Sequence, residues 1–324
     1  MKLEEVFNFY FNGKESFEQF YTLSLNDHIK EFNFNNKKCY SISDELKTIQ
    51  LFLSKFIFEN IEFRKDLVYS YRKGVNVVDC ISPHRFNNYI YKTDIENFFP
   101  SIGYDLIKNK IIEKVKDISF LDTNDVMVHL SRILELVTID KKLPIGFSSS
   151  PAISNFVMYD IDCKIDCFAK NNDLIYTRYA DDIILSGKNN LDKNSINQEI
   201  NNILNYNQDN VFHLNDKKTK IITKKFERNI LGISISPVGT LSISRQLKKE
   251  IEVKIFFLIN NKDKFVKFSE MDEMSAIFSL AGKLSYALGV DPVYINKLRR
   301  KYGNSIINKL IKNKGDLWVM TPTY

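Results

Sequence analysis

The chain has 324 residues, of which 44% are hydrophobic and 27% are charged, and its formal net charge is +6. This length allows a sizeable core and predicts two or three subdomains. No apolar run approaches the roughly 18 residues of a membrane helix, and the N-terminus lacks an apolar signal segment, so we expect a cytoplasmic protein with no membrane partner. The four cysteines form no CxxC pair, which favours reduced core thiols over a zinc site.

The charge is unevenly distributed along the chain. Residues 245–314 contain 15 Lys and Arg against 7 Asp and Glu, whereas the rest of the chain is slightly acidic. A basic C-terminal third beside an acidic centre is expected of a protein that holds a polyanion near carboxylates. A merely solvated basic surface would give the same pattern.

Hydrophobic periodicity predicts the elements of the first half of the chain. Apolar residues recur every three or four positions across 43–60, which predicts an amphipathic helix that Ser43 or Asp44 caps. The same spacing predicts a helix over 125–138. Residues 89–99 between them predict a strand that enters an aromatic-rich turn.

The second half opens with a helix and a hairpin. The small residues 148–151 begin a helix that is expected to continue to about Cys167. Alternation across 174–187 predicts a β-hairpin with Asp181 and Asp182 at its tip. The elements expected after it are a polar helix over 188–210, strands within 212–223 and 230–244, and a basic helical tail over 246–314 that is broken near 289–292.

The aspartates of this region suit a two-metal polymerase site. Such a site needs two divalent ions about 3.5–4 Å apart, and hard ions prefer carboxylate oxygens. Asp181 and Asp182 on the hairpin and Asp94 at the end of the earlier strand are the candidates. An Asp pair in a turn is more often simply solvated. Here apolar strands flank the pair, and burying two like charges is costly unless a metal neutralises them.

Five segments, in this order, resemble the motifs of reverse transcriptases. They are 91–99 for motif A, 143–151 for motif B, 179–182 (Tyr-Ala-Asp-Asp) for motif C, 215–219 for motif D and 230–233 for the motif E primer grip. The resemblance implies an RNA-directed DNA polymerase, which is a nucleotidyltransferase that consumes deoxynucleoside triphosphates. It also implies an α+β right-hand polymerase fold. Its expected parts are fingers over 1–90 with part of 105–150, a palm of antiparallel sheet plus helices over 91–240, and a basic helical thumb over 241–324.

The resemblance implies roles for the matching residues. Asp94 and Asp181 would bind two Mg²⁺ ions, which Mn²⁺ could replace. The Ile95 carbonyl would be a further ligand and Asp182 a companion carboxylate. Phe99 falls where an aromatic ring would exclude the 2′-hydroxyl of a ribonucleotide. Because Phe98-Phe99 could also be core, we expect one ring to be buried and the other to act as this gate.

Other residues are candidates for nucleotide and nucleic-acid contacts. Gly146 would let the backbone approach the nucleotide and template closely. Either Lys217 or Lys218 would protonate the leaving pyrophosphate, unless the pair is merely solvated. The candidates for holding the triphosphate, among which the sequence does not choose, are Arg64, Lys65, Arg72 and Lys73. The candidate phosphate contacts to an RNA–DNA duplex are Arg245, Lys248, Lys249, Arg299, Arg300 and Lys301.

Within the reverse transcriptases, the chain resembles the bacterial retron group. Residues 175–182 are similar to the retron form of motif C, and His84 precedes Asp94 by ten residues, as a Pro-His does in retrons. The region 284–303 resembles a retron thumb. The chain departs from the group at Cys80-Ile81 (usually Asn-Ala), at Ile230-Leu231-Gly232 (usually Val-Thr-Gly) and at Ile145 (usually Gln).

A retron enzyme would use a structured non-coding RNA as primer and template and start synthesis at a guanosine 2′-hydroxyl. The products would be a branched RNA–DNA and a short single-stranded DNA, and a separate effector protein would complete an anti-phage system. The chain length leaves no room for RNase H, integrase or maturase domains. Two alternatives stay open: another defence-associated reverse transcriptase that makes repetitive or untemplated DNA, and an inactive polymerase fold that binds only RNA and a partner protein. The three intact aspartates argue against the inactive fold.

Overall fold

The computed structural model describes residues 1–205 and 212–312, which form two compact units. The first unit contains residues 1–76 and 88–222, and the second contains residues 77–87 and 223–324. A short segment before Asp94 therefore packs with chain that is far away in the sequence. The expected palm range falls partly in each unit, so the division into fingers, palm and thumb stays a prediction.

The described residues form fifteen α-helices and nine strands. In chain order the helices are α1 Leu3–Phe11, α2 Glu18–Thr22, α3 Asp44–Phe56, α4 Val77–Ile81, α5 Phe98–Ser101, α6 Tyr104–Lys114, α7 Thr123–Val137, α8 Ser150–Val157, α9 Tyr159–Asn171, α10 Lys193–Leu204, α11 Arg245–Asn260, α12 Lys262–Ser269, α13 Glu273–Val290, α14 Pro292–Tyr302 and α15 Asn304–Lys312. The strands are β1 Ile29–Phe34, β2 Lys37–Ile42, β3 Tyr89–Asp94, β4 Ile175–Tyr179, β5 Asp182–Gly187, β6 Lys220–Thr223, β7 Arg228–Ile230, β8 Ile233–Ile235 and β9 Leu241–Ile243. None of the described helices has the length and apolarity to cross a bilayer.

The helices form where their apolar faces and caps predict them. Ser43 caps α3 by accepting a hydrogen bond from the Leu46 amide at 3.3 Å, as expected. Asp122 caps α7, so this helix begins two residues earlier than predicted. The apolar face expected of α10 is buried, and the part of its predicted range over 206–210 lies outside the described residues.

Other boundaries differ from the predictions. The helix expected over 148–167 is two helices, α8 and α9, because the chain leaves helical geometry at Met158. The basic tail breaks at more points than the expected one, since Asn261, Asp272 and Asp291 each cap a new helix. Only the end of the expected strand 212–223 is a strand, β6. The thiols are free, but only Cys39 and Cys80 are buried, so the expectation of core thiols is wrong for the exposed Cys167.

The first unit contains a four-stranded sheet in the order β4-β5-β3-β6 and a separate hairpin of β1 and β2. Helices α3, α7, α8 and α9 contribute residues to the core of this unit, and α9 packs against β4. The second unit contains a three-stranded antiparallel sheet, β7-β8-β9, together with helices α11 to α15. The sheet of the first unit positions the acidic residues, because β3 ends and β5 begins at the same edge.

Candidate active site

The Asp181 hairpin is a tight two-residue connection. Strands β4 and β5 pair antiparallel with Tyr179 opposite Asp182, so only Ala180 and Asp181 form the loop. Ala180 has a φ of 56°, the left-handed conformation that short hairpin turns favour. Asp182 is therefore the first residue of β5. The sequence had placed both aspartates in the turn, and this expectation is wrong for Asp182.

Strand register brings Asp94 to this hairpin. Asp94 is the last residue of β3 and lies directly opposite Asp182 on β5. The Ile95 amide then donates to the Asp181 carbonyl at 3.1 Å. The three predicted carboxylate residues thus meet at one end of the sheet, although 87 positions separate Asp94 from Asp181.

Two lysines neutralise part of this acidic cluster. Lys218 Nζ donates to Asp94 Oδ2 at 2.8 Å, and among the described residues Lys217 makes no such contact, while the role of either lysine as proton donor stays a prediction. Lys92 Nζ lies 2.9 Å from Asp182 Oδ1. The hydrogen bond that Lys218 donates to Asp94 raises the pKa of Lys218, which keeps this lysine protonated.

Within residues 1–205 and 212–312 no lysine forms an ion pair with Asp181, and its carboxyl pKa is shifted. Burial raises the pKa of Asp181, and the charges of Asp182 and Asp94 raise it further, whereas Lys37 lowers it. Lys37 is the first residue of β2 and lies far from Asp181 in the sequence, so no local pattern indicated that its charge would act on Asp181.

The donor set fits divalent ions. Within the described residues no set of three or more Asp, Glu, His or Cys side chains is already gathered at ligand distance. However, Asp94 Oδ1 is buried without a hydrogen-bond partner, and an oxygen in that state needs a ligand. The residues present therefore suit hard cations such as Mg²⁺.

Gly146 has a structural reason to be glycine. Its φ is 107°, and a Cβ built on it would lie 2.0 Å from the Tyr40 carbonyl oxygen. The Tyr40 amide donates to the Ile145 carbonyl at 2.9 Å, so strand β2 runs against this loop. The glycine makes room for β2, while the contact to a nucleotide expected of Gly146 stays a prediction.

The two phenylalanines of the motif A segment occupy different environments. Phe98 is 4% exposed and belongs to the core, whereas Phe99 is only partly buried against it. The Phe99 ring centroid lies 6.2 Å from that of Tyr71. Burial raises the pKa of Tyr71 to about 12, and the nearby Asp181 charge contributes to the shift. Tyr71 therefore lies near Asp181, and Phe99 lies beside Tyr71.

The basic residues of the expected fingers separate into two groups. Arg64 is engaged elsewhere, because its guanidinium binds Asp66 Oδ2 at 2.6 Å and Asp166 Oδ2 at 2.8 Å. Lys65 and Arg72 instead line a cavity of about 550 Å³, together with Lys73, Tyr71 and Tyr179. Tyr179 is the last residue of β4, so this cavity lies beside the Asp181 hairpin.

A buried ion pair that the sequence did not indicate contacts the loop of the Asp181 hairpin. Arg178 donates to both carboxylate oxygens of Asp162 at 2.7 Å and to the Ala180 carbonyl at 2.9 Å. Tyr176 also donates to Asp162 at 2.7 Å. The sequence could have indicated that Lys92 lies near the aspartates, because two-residue spacing puts it on the same face of β3 as Asp94. Nothing local links Arg178 to Asp162.

The predicted nucleic-acid contacts of the second unit are partly brought together. Arg245, Lys248, Lys249 and Lys301 line one cavity of about 770 Å³ with the rings of Phe256 and Phe257. Three of these cations pair with carboxylates, namely Arg245 with Glu227, Lys248 with Asp291 and Lys301 with Glu252. Arg299 and Arg300 do not line this cavity, and Arg299 is hydrogen-bonded to Asn296 and Asn308.

Comparison with known proteins gives the family. Residues 31–235 match the family model described as "Reverse transcriptase (RNA-dependent DNA polymerase)". The retron Ec83 reverse transcriptase of Escherichia coli is 30% identical over 252 residues, which cover 76% of this chain and 77% of that protein. The retron Ec86 enzyme of the same organism is 29% identical and the retron Ec73 enzyme 28%, over 83% and 85% of this chain and 79% and 84% of theirs.

The matched segment contains the β3–β5 edge, the Asp181 hairpin and the Gly146 loop. It covers more than half of the chain and all three aspartates of the cluster. The chain therefore belongs to the reverse transcriptase family, whose members are RNA-dependent DNA polymerases.

Proposed function

We propose that this reverse transcriptase makes single-stranded DNA from a structured non-coding RNA that serves as both primer and template, in the manner of the retron enzymes. Three relatives named as retron reverse transcriptases, similar over at least three quarters of this chain, support the proposal. The observation that carries the chemistry is the register of Asp94 opposite Asp182, with one Asp94 oxygen buried and unsatisfied.

Reverse transcriptases use divalent metal ions, and in this chain we assign two Mg²⁺ ions, which Mn²⁺ can replace, to Asp94, Asp181, Asp182 and the Ile95 carbonyl. When bound, the ions activate the attacking hydroxyl and stabilise the leaving pyrophosphate. The protein holds the carboxylates in place through strand pairing and through the backbone bond from Ile95 to Asp181. Binding would free Lys92 and Lys218 from the carboxylates that they now neutralise.

Other residues of the cluster act on the nucleotide. Phe99, supported by the buried Phe98, would lie against the sugar and exclude a 2′-hydroxyl. The cations that we assign to the triphosphate are Lys65 and Arg72, which line the cavity beside Tyr179, and Lys37, whose positive charge lowers the pKa of Asp181. Lys218, which is protonated and freed from Asp94, would donate a proton to the pyrophosphate.

The product and partners follow from this assignment. The basic cavity of the second unit would contact the phosphates of the RNA–DNA duplex through Lys249, which has no carboxylate partner within the described residues, and through its paired neighbours. A separate effector protein, a cytoplasmic location and a role in anti-phage defence belong to the same proposal.

The proposal is tested by the nucleic acid that the protein makes in its native cell. RNA is isolated with the protein, digested with RNase and examined for DNA that keeps a short branched RNA remnant. We expect such DNA from the wild-type strain and none from a strain with Asp181→Asn. DNA without linked RNA, or with a sequence unrelated to the bound RNA, would favour a polymerase that makes repetitive or untemplated DNA. No DNA from either strain would favour an RNA-binding fold without synthesis.

A further inference from the structure

The second unit displays an exposed patch of aromatic, apolar and basic side chains that the polymerase site does not use. We define the Phe86 patch as Arg85, Phe86, Lys224, Lys225, Phe226 and Val238. Three of these are large hydrophobic residues with high exposure, because Phe86 is 58%, Phe226 74% and Val238 76% exposed. Register places them together, since β7 and β8 pair with Arg228 opposite Ile235, which brings the turns before β7 and after β8 to the same end.

A buried arginine holds the backbone on both sides of Phe86. Arg228 is fully buried, and its guanidinium donates to the Asn87 and Arg85 carbonyls at 2.7 Å each. It has no carboxylate partner within the described residues. Burying a guanidinium on carbonyls alone is costly. The arrangement ties the segment that carries Phe86 to strand β7.

The Phe86 ring is also held from the side. Gly239, in the β8–β9 turn, approaches the ring so closely that a Cβ on it would lie 2.7 Å from two ring carbons. The Arg85 guanidinium lies 4.5 Å from the ring centroid, and Lys224 Nζ lies 3.4 Å from the Phe86 carbonyl oxygen. The ring is therefore fixed in place and still more than half exposed.

The chemistry of the patch favours a nucleobase over a protein surface. A fixed aromatic ring stacked with a guanidinium is a platform on which an unpaired base can stack. Lys224 and Lys225 add positive charge next to it, and Glu227, the carboxylate beside them, is already paired with Arg245. We propose that the Phe86 patch binds an unpaired nucleotide of the RNA partner, with its base on Phe86 and its phosphate near the lysines. This rests on the proposed function only in that the partner is RNA.

The test compares Phe86→Ala with the wild type in binding a fluorescent single-stranded RNA of about 12 nucleotides, within the site sizes typical of such platforms. Saturating unlabelled RNA–DNA duplex is present to occupy the polymerase cleft. We expect Phe86→Ala to weaken binding roughly 5- to 100-fold, since stacking on one base is of that size. Phe86→Trp, which keeps an aromatic face, should retain wild-type affinity.

Matched controls separate stacking from charge and from folding. Phe278→Ala removes an exposed ring elsewhere in the same unit and should change nothing. Lys224→Ala with Lys225→Ala should weaken binding to single-stranded and duplex RNA alike and reduce its salt dependence. Extension of a preannealed DNA primer should be unchanged in Phe86→Ala. If the wild-type protein itself extends no primer, the proposed function is refuted, but the RNA-binding test can still be carried out.

The proposal is overturned if Phe86→Ala binds single-stranded RNA as tightly as the wild type. It is also overturned if the substitution removes only a co-purifying protein, which would make the patch a protein interface.

Discussion

Arg178 and Asp162 form a fully buried ion pair next to the Asp181 hairpin. Neither side chain is exposed, two N–H groups of Arg178 reach the two oxygens of Asp162, and a third reaches the carbonyl of Ala180. The carbonyl belongs to the residue before Asp181. Helix α9, which carries Asp162, is thereby connected to the loop that presents the Asp181 carboxylate.

Arg178→Met should be strongly destabilising and should slow DNA synthesis. Removing one member of a buried pair costs roughly 3–5 kcal/mol, because the other charge is left unpaired. The double variant Arg178→Met with Asp162→Asn should recover most of this loss, since the Asn oxygen still accepts from Tyr176. Its extension rate should stay low, because no donor reaches the Ala180 carbonyl. Urea unfolding and single-turnover extension measure the two effects.

Arg132→Met provides the control for this pair. Arg132 donates to the Phe20 and Leu23 carbonyls of the same unit, so its loss should lower stability without changing the rate per folded molecule. A double Arg178 and Asp162 variant with the wild-type rate and Mg²⁺ dependence would show that the pair does not position the hairpin.

Asp181→Asn should abolish synthesis and have opposite effects on stability with and without Mg²⁺. Because the folded-state pKa of Asp181 is raised, its protonated form stabilises the fold, and this stability is lost as the pH rises from about 4 through the raised value. At neutral pH the metal-free variant should therefore melt roughly 1–4 °C above the wild type. Added Mg²⁺ should raise the melting temperature of the wild type and leave that of the variant nearly unchanged.

Thermal melting at several pH values, with and without Mg²⁺, checks this prediction. Asp173→Asn, at an exposed turn before β4, should change neither the melting temperature nor the response to Mg²⁺. Equal Mg²⁺ stabilisation of wild type and Asp181→Asn would exclude Asp181 as a ligand.

Phe99→Ala and Phe98→Ala should fail in different ways. Phe99→Ala removes the ring beside Tyr71 and should increase ribonucleotide incorporation several-fold or more, at a modest loss of stability. Phe98→Ala empties a core position and should cost about 3–5 kcal/mol without relaxing sugar selectivity. Competition between labelled deoxy- and ribonucleotides during extension measures selectivity. An unchanged preference in Phe99→Ala would assign the exclusion of the 2′-hydroxyl to another residue.

Lys37→Ala should weaken nucleotide use, whereas the neighbouring Lys38→Ala should not. Lys37 acts electrostatically on Asp181, while Lys38 pairs with Glu31 at 2.8 Å. We expect Lys37→Ala to raise the KM for deoxynucleoside triphosphates roughly tenfold, since a lost charge contact is of the order of 1–2 kcal/mol. It should also shift the rise of activity to higher pH, because the pKa of Asp181 loses a lowering influence. Steady-state kinetics from about pH 4, the ordinary pKa of Asp, to about pH 9 test both effects. Equal effects of the two substitutions would contradict this assignment.

Local sequence patterns determined the elements and the chemical type of the site. Periodicity predicted α3, α7, α10 and the hairpin of β4 and β5, because these elements bury one face and their caps and turns are local. The adjacent aspartates and the order of the five motifs indicated a reverse transcriptase before any contact was known. The neighbouring Phe98 and Phe99 also suggested that one ring packs and the other stays accessible.

The tertiary structure alone decided which residues meet. Strand register placed Asp94 opposite Asp182, and packing brought Lys218 to Asp94 and paired Arg64 with Asp66 and Asp166. Folding also paired Arg178 with Asp162 and set Gly146 against Tyr40. These are contacts between segments that no short repeat or spacing connects, so only the folded chain could define them. The sequence therefore predicted the aspartates of the hairpin. The contacts that Lys92, Lys218 and Arg178 make with this region depended on packing.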